Sequence, residues 1–241
     1  MEMASDTLRE SAMQTDITPK RVLLFIRAPE LGRVKTRLEK KMDVVTVLGL
    51  YQCFVEDIIQ TLTSGGYDIT VCFAPSHKES IVQAWLGPTI HVQAQTGRRL
   101  GEKMRNAFSD VFATEVDHAV LIGSDFPDLD IRIIHEAFAF LQMKDVAIGP
   151  AEDGGYYLMG FRKDAFDGDV FTGIDWGTEH VYRQTLQRIH DAGLNDHILP
   201  SWQDIDTYED LTAFYHRSKA NGLMHLKTMQ FLDRLKLKGL Q

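Results

Sequence analysis

Two cysteines, seven prolines and no long uninterrupted apolar run mark this chain of 241 residues. Cys53 falls in a helical pattern and Cys72 in a strand pattern, with no CxxC spacing. That excludes a disulfide-stapled secreted scaffold and favours a reducing compartment, so a cytoplasmic location is expected. No run approaches the length of a membrane span, and none is expected. The opening MEMASDTLRESAMQTDITP lacks the basic start and apolar core of a signal peptide. Residues 1–18 read as a flexible N-terminal extension and 19–241 as a single domain. Positive charge is also short: the formal net charge is −8, which gives no general attraction to nucleic acid. The basic residues gather in two short loops and form no continuous stripe, so no nucleic-acid partner is expected.

What is present is ordinary globular material, 44% hydrophobic and 25% charged, in a chain long enough for one real core. Strand and helix signals alternate. Arg21 to Ile26 is a continuous apolar run of the kind found in central parallel strands. Val44 to Leu62 repeats apolar residues at helical spacing until Ser64-Gly65-Gly66 ends the pattern. Strand runs follow at 68–73, 90–93, 119–122, 146–148 and 156–161, separated by helical patterns at 80–86, 101–112, 131–142 and 178–192. The tail from Tyr208 to about Leu237 reads as mostly helical. The pattern predicts an α/β, three-layer, Rossmann-like and mostly parallel sheet, with an antiparallel edge in the second half. In the tail, Leu223, Leu226, Met229, Phe231, Leu232, Leu235 and Leu237 space around a helix that packs on the parent domain or on a second copy. Monomer and homodimer both remain open.

In open sheets of this type ligands sit beyond the carboxyl ends of the strands, and three polar constellations fall there. The first is Ala28-Pro29-Glu30-Leu31-Gly32-Arg33-Val34-Lys35-Thr36-Arg37-Leu38. Pro29 and Gly32 shape a loop, and Lys35 and Arg37 set two cations beside backbone N–H donors, a combination suited to phosphate oxygens. The spacing matches neither GxxxxGK[ST] nor GxGxxG. Ala28, Gly32, Lys35 and Arg37 are therefore candidates for holding a diphosphate, with Glu30 and Glu39 as local partners of the cations. A second basic patch, Gly97-Arg98-Arg99-Leu100-Gly101-Glu102-Lys103-Met104, precedes a helix, and Arg98 and Arg99 are candidates for the base or ribose.

The second constellation is Ile122-Gly123-Ser124-Asp125-Phe126-Pro127, where Asp125 directly follows a strand. Facing phosphates, its natural chemistry is to ligate Mg²⁺ or Mn²⁺, hard ions that prefer oxygen; Ser124 and Asp128 suit capping. The third is Gly149 to Gly160, GPAEDGGYYLMG, in which Asp153 stands before two glycines that permit tight turns and close approach. Asp204 and Asp206 lie just before a helix start capped by Thr207 and Asp210. Either completes a metal shell, and Asp206 is preferred. His180 and His197 show no metal-ligand spacing, and Trp176 is an acceptor wall or a core residue.

Phe25–Leu38, Gly97–Met104, Leu121–Leu129, GPAEDGGYY with Leu158, Phe171–Thr178 and Asp204–Leu211 occur in an order that resembles a bacterial family of uncharacterised proteins. That family is regarded as glycosyltransferases of the GT-A type, related to nucleotide-diphospho-sugar transferases. The resemblance spans about Arg21 to Phe214, and GPAEDGGYY together with VKTRL is its specific part. It implies a GT-A fold with a nucleotide site in the first half and an acceptor site in the second. Asp125 takes the place of the metal-binding acid where many relatives carry DxD, here with Phe126 instead of a second carboxylate. Asp204 to Leu211 is similar to the DxDTPEDL segment of nucleotidyltransferases, with Tyr208 in place of proline.

The function expected is a metal-dependent glycosyltransferase that moves a sugar from a nucleotide-diphospho-sugar to a small hydroxyl-bearing acceptor. Lys35 and Arg37 would stabilise the diphosphate leaving group, with Mg²⁺ or Mn²⁺ on Asp125 and Asp206. Asp153 would deprotonate the acceptor or ligate the metal. A nucleotidyltransferase joining a nucleoside triphosphate to a phosphorylated small molecule is the nearest rival, although PELGRVKTRL stands where its GxGxRM loop would be. A noncatalytic nucleotide-binding protein is the third reading.

Overall fold

The computed structural model describes residues 18–235. The first 17 residues of the expected extension, and Leu237 of the tail, lie outside the described residues. Seven strands form one sheet in the order β3-β2-β1-β4-β6-β5-β7. They are β1 (Lys20–Arg27), β2 (Ile69–Ala74), β3 (His91–Ala94), β4 (His118–Ile122), β5 (Val146–Pro150), β6 (Tyr156–Arg162) and β7 (Asp196–Ile198). All run parallel except β6, which pairs antiparallel to both β4 and β5. The antiparallel strand is therefore inside the sheet and not at the expected edge. The edge strand β7 joins β5 in parallel.

Alternation along β1 divides the core. Val22, Leu24 and Ile26 face a layer built from α1 (Val44–Ser64), α2 (Glu79–Leu86) and α4 (Ile131–Phe140), while Leu23 and Phe25 face α3 (Leu100–Phe112) and α5 (Val181–Asp191). A third cluster lies outside α1, where Leu50 and Phe54 meet Phe214 of α6 (Tyr208–Ala220) and Met229 and Leu232 of α7 (Lys227–Leu235). The tail thus packs on the parent domain, as two helices and not one continuous helix.

That outer layer explains the composition of α1. By length and composition its 21 residues could cross a membrane, contrary to the sequence expectation. In the fold α1 buries one stripe against the sheet and another against α6 and α7, as a helix enclosed on two sides must. Asp57 on α1 is 1% exposed and accepts from the backbone N–H groups of Lys227 and Thr228, capping the start of α7. Burial pushes its carboxyl above the ordinary range against those hydrogen bonds.

Strand order reverses between β1 and β4: from β1 the sheet grows outward through β2 to β3, and on the other side through β4 to β7. Ligand crevices open at such switch points. The loop after β1 and the loop after β4 meet there.

Candidate active site

The loop after β1 is anchored at two points, by Val34 (2% exposed) in the inner core and by Leu38 (0%) in the outer one. Between these anchors Lys35 adopts a left-handed backbone with φ of 47°, the sole non-glycine positive φ among the described residues. That conformation costs a residue with a Cβ about 1–2 kcal/mol, and such outliers gather at functional sites. Its effect is visible in the side chain: Lys35 Nζ lies 2.6 Å from Asp125 Oδ1 and 2.9 Å from Asp206 Oδ1, with the side chain only 5% exposed. Burial opposes the charge, but the two carboxylates outweigh it and hold the ammonium above its ordinary pKa. Arg37 Nη1 reaches Asp206 Oδ2 at 3.0 Å. Burial alone would raise the Asp206 carboxyl; Lys35 and Arg37 bring it below the usual range.

Asp206 reaches this point because of the residue before it. Ile205 is fully buried in the outer core, and its N–H donates to the Asp125 carbonyl at 3.1 Å. In an extended segment the side chains on either side of a buried residue face the opposite way, so Asp204 and Asp206 both face the crevice. The helix behind them starts as expected, with a reciprocal capping box between Thr207 and Asp210.

Asp153 sits in a tight turn. Its Oδ1 accepts from the Gly155 N–H at 2.8 Å, and the Gly154 N–H donates to the Ala151 carbonyl at 3.2 Å. Gly154 has φ of +89°, and a Cβ there would lie 2.3 Å from the Glu179 carbonyl oxygen. The Gly154 carbonyl in turn accepts from Tyr182 N–H at 2.9 Å, in the first turn of α5, whose N-cap side chain makes no capping bond. The glycine pair therefore docks the Asp153 turn against the Trp176–Val181 segment. Asp153 itself is exposed, and it lines the same cavity as Asp125.

Two adjoining cavities result. The first, about 870 Å³, is lined by five cationic side chains, Arg27, Arg33, Lys35, Arg37 and Lys103, against two carboxylates, Asp125 and Asp206. The second, about 530 Å³, is lined by five carboxylates, Asp125, Asp153, Glu179, Asp204 and Asp206, against Arg37 alone. Arg37, Asp125 and Asp206 belong to both, so they form the seam between them. Both volumes fall in the range of small-molecule sites.

The structure rearranges several sequence expectations. Glu30 pairs with Lys78 at 2.7 Å, and no ion pair joins Glu30 or Glu39 to Lys35 or Arg37 among the described residues. The partners of those cations are Asp125 and Asp206 instead. Ala28 is 1% exposed and lines neither cavity, while Gly32 lines the first. Arg98 and Arg99 line neither of the two large cavities; Leu100 and Lys103 of the same patch do line the first. Arg98 gives its N–H to Glu102, and Arg99 lies beside a smaller hollow with Trp176. Asp128 receives Arg217 and the Trp202 indole, so α4 is capped by Asp130 instead. His197 bonds to Glu136 and stacks on Phe140, away from the site. Trp176 lines the acidic cavity.

Asp204, set second to Asp206 in the sequence, proves distinctive. Burial first, then the Asp153 and Asp206 carboxylates, push its carboxyl up from 3.8 to about 6. Arg27 and Arg33, which the sequence groups with Lys35 and Arg37 as a cluster suited to an anion, and Lys103 of the second basic patch all line the first cavity, and among the described residues no ion pair engages them. Asp125 and Asp206 also suit a hard cation by donor type, and an ammonium group already lies between them. No group of three or more His, Cys, Asp or Glu side chains is arranged to hold a metal ion among the described residues.

This architecture is that of the nucleotidyltransferase-like α/β proteins. A nucleotidyl transferase from Methanothermobacter thermautotroptrophicus shares it at 13% identity and a TM-score of 0.58, over 84% of this chain and 99% of that one. CMP:2-keto-3-deoxy-manno-octonic acid synthetase complexed with CTP does so at 14% identity and 0.52, over 86% and 99%. Much nearer is the crystal structure of a candidate nucleotide-diphospho-sugar transferase from Desulfovibrio desulfuricans G20. It is 40% identical, with a TM-score of 0.87, over 90% of this chain and 95% of that one. Residues 58–178 match the family described as "Uncharacterized protein conserved in bacteria (DUF2064)". No curated protein matches the chain. The chain belongs to this bacterial family of enzymes, related to nucleotide-diphospho-sugar transferases, and shares its fold with nucleotidyl transferases.

Proposed function

We propose that the protein transfers a sugar from a nucleotide-diphospho-sugar to a small hydroxyl-bearing acceptor. The observation that carries this reading is the seam: a cation-lined cavity and a carboxylate-lined cavity meet at Arg37, Asp125 and Asp206, the two acids being held by Lys35 from the cation side. The donor's diphosphate belongs in the first cavity, against Arg27, Arg33 and Lys103, which form no ion pair among the described residues. The sugar's anomeric carbon then lies at the seam and the acceptor in the second cavity.

In the transfer an acceptor oxygen forms the new bond to the anomeric carbon as the bond to the β-phosphate oxygen breaks. The electron pair of that bond leaves with the diphosphate, where Lys35 and Arg37 stabilise the growing charge. Asp153 takes the acceptor proton; its exposure and its lack of any ion pair among the described residues leave the carboxylate free to do so. Asp125 and Asp206 would hold Mg²⁺ or Mn²⁺, which supplies further neutralisation of the diphosphate. The related nucleotidyl transferases keep a second chemistry in view, attack on a nucleoside triphosphate with release of pyrophosphate.

The test is incubation of the purified protein with a panel of nucleotide-diphospho-sugars, Mg²⁺ or Mn²⁺, and polyol or sugar acceptors. Released nucleoside diphosphate coupled to a new glycoside supports the proposal. Pyrophosphate release from a nucleoside triphosphate, with a nucleotide conjugate as product, overturns it. Asp153→Asn should then lower turnover about 100-fold or more while donor affinity stays the same; a parallel loss of metal affinity would make Asp153 a ligand and not the base.

A further inference from the structure

The second cavity constrains the molecule that enters it, and the inference rests on the reading of that cavity as the acceptor site. Its charge is one-sided, five carboxylates against Arg37, and Arg37 is already committed to Asp206 at 3.0 Å. Of the other basic groups of the first cavity, Lys35 is taken up by Asp125 and Asp206 at the seam, and Arg27, Arg33 and Lys103 do not line the second cavity. Away from the seam, a phosphate or carboxylate on the second substrate would meet Asp153, Asp204 and Glu179 with no protein cation beside them among the residues lining the cavity, and like-charge juxtaposition costs several kcal/mol.

The other wall is aromatic and preformed. The Tyr156 and Trp176 rings meet edge to face at 6.4 Å. Gly101, in the first turn of α3, lets Trp176 lie against the helix, since a Cβ there would stand 2.9 Å from the indole Cζ2. Tyr156 is pinned through its hydroxyl to Met104 Sδ at 3.6 Å. The Nε1 edge of the Trp176 indole lies against Gly101, and the ring lines the acid cavity beside Tyr156. An aromatic face opposite carboxylates suits a molecule with C–H faces, several hydroxyl donors and positive or no charge.

We propose that the acceptor is a polyhydroxylated molecule without phosphate or carboxylate, and that an amino group on it strengthens binding. Hydroxyl and ammonium donors meet Asp153, Asp204 and Glu179, and the carbon face of the acceptor lies on Trp176. The same charge pattern excludes a phosphorylated small molecule as the second substrate.

The experiment uses the full chain saturated with Mg²⁺ and whichever of ADP, CDP, GDP or UDP binds tightest by calorimetry. Saturation-transfer NMR is recorded on an equimolar mixture of glucosamine, glucose, glucose 6-phosphate and glucuronate at millimolar concentration. The expected order is glucosamine, then glucose, with the two anions about tenfold weaker or more. Trp176→Ala should remove the transfer to the neutral sugars. Asp153→Asn, which leaves the aromatic wall intact, should shrink the preference for glucosamine over glucose. The proposal falls if either anion binds as well as glucose, if no member of the mixture binds, or if both variants leave the order and intensities unchanged. Failure of every nucleoside diphosphate in the calorimetry would instead strike the donor site and the proposed function itself.

Discussion

The two cavities use one scaffold in opposite ways. On the cation side, the chain after β1 is a largely exposed loop anchored at Val34 and Leu38 and tied by side-chain ion pairs to Asp125, Asp206 and Lys78, and three of the five cations lining the cavity are in no ion pair among the described residues. On the acid side, the chain after β5 is locked by backbone contacts, with Gly154 pressed on Glu179 and its carbonyl capping α5. A strongly charged lining suits a ligand recognised by charge, such as a diphosphate. A rigid wall suits one recognised by shape and hydroxyl geometry, where a misplaced group is rejected. The seam between them is nearly neutral, since Lys35 and Arg37 face Asp125 and Asp206.

Glycine substitutions separate the two sides most sharply. Gly154→Ala places a Cβ against backbone and in a left-handed conformation, so the expected loss is roughly 3 kcal/mol, from overpacking and conformational strain together. Gly32→Ala on the cation side has a comparable φ of +67°, but its Cβ would meet only Val44 Cγ2 at 4.0 Å. Conformation alone then costs about 1–2 kcal/mol. Denaturant unfolding of both variants measures the difference. Equal losses would mean that the Asp153 turn is no more rigid than the cationic loop.

Lys35→Ala probes the seam. It removes the ammonium between two carboxylates and a donor from the diphosphate side. A charge-assisted contact is worth about 1.5–3 kcal/mol, so affinity for a nucleoside diphosphate should fall by about 10- to 100-fold while nucleoside affinity stays within about twofold. Arg37→Ala should act in the same direction and less, because its side chain is 67% exposed. Calorimetry with both ligands decides: equal losses for nucleoside and diphosphate would detach the loop from phosphate binding.

Much of the architecture was legible because it rests on local periodicity. The continuous run Arg21–Ile26 and the helical repeat Val44–Leu62 gave β1 and α1 to within a residue or two. Strand direction was not legible, because an apolar run such as Tyr156–Phe161 looks the same in either orientation; hence the misplaced antiparallel strand. β7 has three residues, too few for a pattern, and the break between α6 and α7 spans residues 221–226, inside a spacing that stays apolar on both sides. For the site, the residue types were readable and their pairings were not. Lys35 and Asp206 are 171 positions apart, so assigning Glu30 and Glu39 to the cations followed sequence proximity where the fold had chosen long-range partners. Arg98 and Arg99 were singled out by charge alone. Only the orientation of α3 shows that Leu100 and Lys103 face the cavity in their stead.

The finest test concerns the excess of negative charge on the acid side, which Asp204 reports. Its carboxyl titrates at about 6 in the folded protein against an ordinary value of 3.8. As pH rises from about 4 to 6, the unfolded chain gives up this proton before the folded one does, so ionisation favours unfolding. The group is neutral in both states below that window, and above it the folded protein carries the full penalty. Asp204→Asn removes the penalty and should stabilise the protein at pH 7.5 while having little effect at pH 3.5. The unscreened shift would correspond to about 3 kcal/mol; for a half-buried group open to solvent, roughly 1 kcal/mol is the expected gain. Asp153→Asn, by taking away one of the charges that act on Asp204, should move the Asp204 titration downward and recover part of that gain. Urea unfolding of the three proteins at both pH values, with carboxyl titration followed by NMR, carries the measurement. A wild-type Asp204 that titrates near 4, with no pH-dependent difference from Asp204→Asn, would show that the acid cavity holds its carboxylates without mutual repulsion. The charge contrast with the cationic side would then lie in composition alone.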